Sequence, residues 1–367
     1  MFENMSRVSS KKIISLVAVL AIGCGGIAYF GSHQGAHKAP PLVLKTLEEA
    51  TEGDLRSLTF DNLNMADVRE VSPLVTLYKG TFYLPDTESI VKTKAESFFK
   101  KQAKAMKIRY DKSFFKPYNT KYSPPGCDYE VNDDITMSYS KDAFFTCIRN
   151  FDVENLYLPY NKAFDLNGKV SRKNKEKVDK LTEKVNTLLG NTGRSFDISL
   201  SPHKFGVSKT QDGRTVETLY YQLTYKGIPF VDVLGGEKYF PWFCCAISSV
   251  NDSRDGEFIS LEGMSLRAKK LVRVDRVISV SDAVRLLSEE LAGHKKYDVS
   301  SVQMEYMTFL TEKERKLVKK RIIRDREEGN AYTALPYWAI YLDTTPNDEI
   351  VGYVNAENGD VLFVNNR

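Results

Sequence analysis

Several constellations in this 367-residue chain have residue types and spacings that could carry chemistry. The tetrapeptide SFFK occurs twice, pairing Ser97 with Lys100 and Ser113 with Lys116. A serine followed three residues later by lysine is the nucleophile and base spacing of penicillin-binding enzymes. The partner motifs are incomplete: SVN stands at Ser249, but no KTG follows, and both copies lie among aromatic and lysine residues where the match arises easily. The segment NDSRDGEFISLE, from Asn251 to Glu262, places oxygen-bearing side chains at the spacing of a calcium-binding EF-hand loop. Its flanks read as strands where an EF-hand needs helices, and its first position is Asn, so a β-turn is the expected structure. No G-x-S-x-G, phosphate-binding loop or H-E-x-x-H occurs, and His33, His37, His203 and His294 are scattered in polar surroundings. No catalytic residue, metal site or cofactor is therefore expected.

Cysteine offers two further chemistries. Cys24 closes LAIGC, a bacterial lipobox pattern whose cleavage would leave a diacylated cysteine. Cys127 and Cys147 are the pair to test first for a disulfide, since one follows the loop signal SPPG and the other lies on an expected strand. Adjacent Cys244 and Cys245 point to opposite faces of a strand and read as small core residues.

The placement of these residues follows from the N-terminus. Ile13 to Phe30 holds no charged side chain and follows Lys11 and Lys12. At about 1.5 Å per residue it nearly spans a bilayer core, and the flanking lysines favour a cytoplasmic N-terminus. An uncleaved signal anchor, a lipoprotein at Cys24 and a cleaved secretory signal all fit; apolar character continuing beyond the cysteine favours the first. Each places the remaining chain outside the cytoplasm, and the first two attach it to the membrane. Net charge is +4, with Arg7, Lys11, Lys12 and Lys38 opposing only Glu3 in the first 38 residues. The nearly neutral remainder gives no electrostatic basis for nucleic-acid binding.

Beyond a linker over 31–50, a helix-then-strands pattern recurs, giving an α+β class with segments at 51–165, 166–265 and 266–367. The first helix follows Asp86 as N-cap and lines up Val91, Ala95, Phe98 and Met106. The second carries Val178, Leu181, Val185 and Leu188 and should stop at Gly190. The third starts at a capping-box-like Ser279 and Asp282, buries Val280, Val284, Leu287 and Leu291, and ends near Gly293. A mixed-charge run from Lys313 to Arg326 reads as a solvated face, with an anionic envelope polymer, lipid headgroups or an acidic partner as the functional alternative. Tyr220, Tyr221, Trp242, Tyr337 and Trp338 suit strand cores, or stacking on a sugar or peptide if exposed.

The chain closes on PYWAIYLD and GYVNAENGDVLFV, with Asn355, Ala356, Asn358, Gly359, Asp360 and Val361 in the turn. This ending resembles the closing strands of PepSY-like domains. It is also similar to the YycH and YycI regulatory proteins of Gram-positive bacteria, as is the internal TYKGIPF from Thr224 to Phe230. Asn358 and Gly359 are expected to supply the positive φ angles of a two-residue hairpin turn, with Val361 and Phe363 on one face. The resemblance implies tandem helix-on-sheet segments of PepSY-like or cystatin-like build. It further implies a non-catalytic protein outside the cytoplasm whose envelope or membrane partner is a sensor kinase or protease. A polysaccharide- or peptide-binding surface protein and an envelope enzyme with a dispersed site are the competing expectations.

Overall fold

A computed structural model describes residues 42–83, 88–105, 107–120, 123–132, 135–140, 143–147, 164–165, 171–192, 199–209, 215–231, 245–252, 256–264, 267–313, 316, 331–345 and 348–366. The apolar stretch over 13–30 and Cys24 lie outside them, and no helix among the described residues is long and apolar enough to cross a membrane. The chain is α+β and dominated by strands.

Two large, mainly antiparallel sheets divide the chain, and they do not follow the boundaries expected from sequence. The first is 7-stranded. It joins β2 (Leu63–Asn64) and β3 (Tyr78–Tyr83) to β14 (Arg267–Arg273), β16 (Tyr297–Leu310), β17 (Ala331–Thr345), β18 (Asp348–Asn355) and β19 (Val361–Asn366). Segment 51–165 is thus split. Its first part completes the C-terminal sheet, where β3 pairs β17 through Tyr332↔Phe82 and Thr333↔Thr81. A further short pairing ties β1 (Lys45–Thr46) to β15 (Arg276–Val277). Everything between β3 and β14 is an insertion into this split unit.

The insertion forms the second, 10-stranded sheet. It runs from β4 (Phe115–Thr120) and β5 (Ser123–Asn132) through β6 (Ile135–Ser140) and β7 (Ala143–Cys147) to β13 (Gly256–Met264) and β12 (Cys245–Asp252). It then continues through β10 (Thr215–Tyr225) and β9 (Ser199–Lys209) to β8 (Phe164–Asp165), with β11 (Ile228–Pro229) beside β10.

Helices bury the faces that their periodicity specifies. After the short α1 (Leu47–Thr51), α2 (Glu88–Ala105) and α3 (Arg172–Thr192) pack together over the inserted sheet. Val91, Ala95, Phe98, Val178 and Leu181 enter one core with Tyr129, Tyr139, Phe205 and Leu219. Helix α3 runs through Gly190 to Thr192 instead of stopping there; one glycine costs a helix only about 1 kcal/mol. Asp86 and Met106 lie outside the described residues, as do the side chains of Val185 and Leu188.

In the split unit, α4 (Val280–Glu290) buries Val280, Ala283, Val284 and Leu287 completely. The two valines and Leu287 each contribute roughly 1.5–3 kcal/mol. Ser279 accepts a hydrogen bond from the Asp282 N–H at 3.1 Å and caps the helix as expected. Gly293 adopts φ +82° beyond its end. Gly352 of β18 lets α4 approach closely, since a Cβ there would meet Leu287 Cδ1 at 2.5 Å.

The closing turn does not take the two-residue geometry expected for Asn358 and Gly359. Asn358 has no positive φ, and Gly359 alone does, at +78°. Strands β18 and β19 pair through Val354↔Val361, leaving a longer loop. Within it the Asn355 side chain accepts from the N–H groups of Glu357 and Asn358. Asparagine held its own turn by bonding the backbone ahead of it, so a two-residue turn was not needed. The two-residue turn with both φ positive stands instead at Lys226 (+52°) and Gly227 (+83°), within TYKGIPF. Val361 and Phe363 do share a face, packed against the α4 side of the sheet.

Candidate functional site

The most exposed chemistry of the split unit lies on β14, whose sequence RAKKLVR holds Arg267, Lys269, Lys270 and Arg273 and no acid. Among the described residues it pairs as a strand only with β3. Lys269, Lys270 and Arg273 are exposed, as is Val272, 58% accessible.

A bulge shapes this edge. The pairing shifts between Lys269 and Val272, with Lys270 at φ +53°. The bulge closes over Gly80, where a Cβ would come within 2.6 Å of the Lys270 carbonyl oxygen. Bulges bend an edge and re-aim side chains, while edge lysines discourage pairing with uncharged strands of other molecules. Lys269 Nζ lies 5.4 Å from the Tyr83 ring centroid, and Arg273 Nε bonds Asp275 Oδ1 at 2.8 Å. The buried Nε of Arg267 has no hydrogen-bond partner among the described residues. Such a row of exposed cations favours a segment supplying carboxylates and repels a basic one.

Two other polar features lie in the split unit. Glu305 of β16 is completely buried; Gln303 Nε2 donates to its Oε1 at 2.6 Å, Tyr341 OH donates to the same oxygen, and Tyr353 OH donates to Oε2 at 3.3 Å. Donors on both oxygens make this a satisfied structural carboxylate. The alternation of β16 predicts buried and exposed positions but gives no sign of which polar residue is enclosed. A cleft of about 430 Å³ is lined by Thr51, Asp54, Arg56, Val68, Arg69 and Glu70. Arg56 Nε donates to the Val68 carbonyl at 3.1 Å, and acidic and basic side chains balance around the opening.

The sequence-derived candidates fall as follows. Ser97 is exposed on α2 while Lys100 pairs with Glu96, and Phe98 and Phe99 of the same tetrapeptide are core residues. Ser113 opens its N–H to Asp111 at a 3-10 turn, and Lys116 pairs with Glu130. Neither lysine serves its serine. Asp252 pairs with Gly256, so β12 and β13 form a hairpin around 253–255 in place of an EF-hand. Among the described residues no cluster of His, Cys, Asp and Glu has metal-site geometry. His203 is half-buried on β9 and His294 is exposed beyond α4, while His33 and His37 lie outside the described residues.

The expected Cys127–Cys147 bridge is not formed. Cys127 is a free thiol, fully buried, and burial pushes its pKa up to about 11. Strand β6 separates the two cysteines, Cys127 pairing with Tyr139 and Cys147 with Thr136. Two strand spacings amount to about 9–10 Å, well beyond disulfide reach. Trp338 is also withdrawn from any surface: it is wholly buried, with its indole N–H on the Ile278 carbonyl at 3.1 Å. Tyr221 and Tyr337 are core residues as well, and Trp242 lies outside the described residues, as does most of the Lys313–Arg326 run.

No family model matches the chain, and comparison with curated proteins returns no match.

Proposed function

We propose that this chain is a non-catalytic, membrane-anchored extracytoplasmic protein that binds an acidic segment of an envelope or membrane partner along β14. The observation that carries the reading is strand β14, whose charged side chains are all basic and whose Lys269, Lys270, Arg273 and Val272 are exposed. Clustered exposed cations attract carboxylates without a pocket, and like-charge repulsion gives selectivity. The apolar stretch over 13–30 supports placement at the membrane. The helix-on-sheet build of both units supports the PepSY-like resemblance, and with it a regulatory partner such as a sensor kinase or protease.

A photoreactive residue at Val272 of the full-length chain in intact cells tests this, with Val207 of the inserted sheet, 48% accessible, as control. The reading predicts an adduct with an envelope or membrane protein from position 272 and its loss in Lys269→Glu/Lys270→Glu. Equal labelling at both positions, or labelling indifferent to the charge reversal, contradicts it.

A further inference from the structure

Strand β10 belongs to two cores at once. Leu219 and Tyr221 lie in the core of the inserted sheet, whereas Leu223, two residues on, lies in that of the split unit. The strand ends in the Lys226–Gly227 turn, and the returning Phe230 is 1% exposed within the split unit's core. Phe230 meets Phe82 edge-on at 5.1 Å and Tyr306 at 5.4 Å, and Tyr225 sits 5.4 Å from Phe82 and 5.8 Å from Tyr78.

Directional bonds fix the same joint. Val231 N–H donates to the Tyr306 carbonyl at 2.9 Å, and Phe230 forms a bridge with Tyr306. The Tyr306 hydroxyl accepts from the Tyr78 N–H at 3.1 Å. The buried Gln222 amide donates to the Phe230 carbonyl at 3.1 Å, bracing the hairpin against its own strand. The joint therefore ties β10 to both pieces of the split unit, β3 before the insertion and β16 after it.

We infer that this hairpin is the element that couples the inserted sheet to the split unit, so that a change in the packing of one is felt as a change in the stability of the other. A strand cannot shift in one core without moving its continuation in the other, because side-chain interiors are close-packed and stiff. The aromatic contacts and backbone bonds at the tip hold the continuation in place. This coupling does not depend on what β14 binds, so its failure and the failure of the binding proposal appear in different experiments.

Calorimetry of the full-length chain tests it, with Phe98→Leu as a perturbation confined to the inserted core beneath α2. In the otherwise native chain the perturbed insertion should drag the split unit with it, giving one transition at lower temperature. Adding Phe230→Ala should resolve two transitions separated by at least ~5 °C. Tyr225→Ala, which removes a half-buried ring and leaves Phe230 in place, should broaden the single transition toward the same separation. Two transitions in Phe98→Leu alone would show independent units and overturn the inference. A single unbroadened transition in both dock variants would place the coupling elsewhere and overturn it equally.

Discussion

The split unit and the insertion both lay helix on antiparallel sheet, yet they reach a packed core by different means. In the split unit one 11-residue helix is pressed into the sheet, with Gly352 under Leu287 and the Trp338 indole bonded to backbone. In the insertion, helices of 18 and 21 residues rest on aromatic rings, with Phe98, Phe99, Tyr129 and Tyr139 stacked in tilted pairs. A short helix buries little area, so it must come close and its contacts must be specific. Long helices over large rings gain area and need less exact fit.

Substitutions that attack closeness should therefore hurt the split unit most. Trp338→Ala removes a fully buried indole and leaves the Ile278 carbonyl without its donor; a loss of about 3–5 kcal/mol is expected in urea denaturation. Gly352→Ala forces its new methyl against Leu287 and should cost about 1–3 kcal/mol. Combining it with Leu287→Ala tests the cause: the pair should be less destabilising than the sum of the single changes. Full additivity would show that the glycine matters for some other reason. Ser279→Ala removes the α4 cap and should cost about 1 kcal/mol, read from the same denaturation curves.

The smallest effect belongs to the insertion. Cys127 should resist thiol reagents at pH 8 in the native chain and react at least ~10-fold faster in urea, since burial suppresses the thiolate. Its raised folded-state pKa means that its contribution to stability is complete below the unfolded value near 9. That contribution is lost as pH rises through about 11. Denaturation midpoints compared between the native chain and Cys127→Ala across this window measure it; an identical pH dependence in both would contradict the burial argument.

Local physics was legible in the sequence wherever it needed no partner. The stripe of α4, its Ser279 cap and the closing strands follow from periodicity and turn residues. Chain topology was not: nothing in YKGTFY (Tyr78–Tyr83) announces that it completes a sheet begun again at Arg267. Hydrogen-bond partners across so large an insertion leave no local trace. The type of the closing turn is hidden for a related reason. Asn-Gly and Lys-Gly both permit positive φ, and the decision fell to side-chain bonding by Asn355 in one loop and to burial of Phe230 after the other. The exposed basic side chains of β14 were equally hidden, because exposure along a strand is a property of the assembled sheet.

The split of the first sheet across the insertion is the claim on which both the edge and the joint depend. Thr81 and Thr333 are register partners on neighbouring strands, and such pairs have Cα separations of about 4.5–5.5 Å, within disulfide reach. Oxidation of the Thr81→Cys/Thr333→Cys variant in a Cys127→Ala background should link the two positions, as read by peptide mass spectrometry of the folded chain. Failure to link them, while the chain remains folded by circular dichroism, would contradict the account.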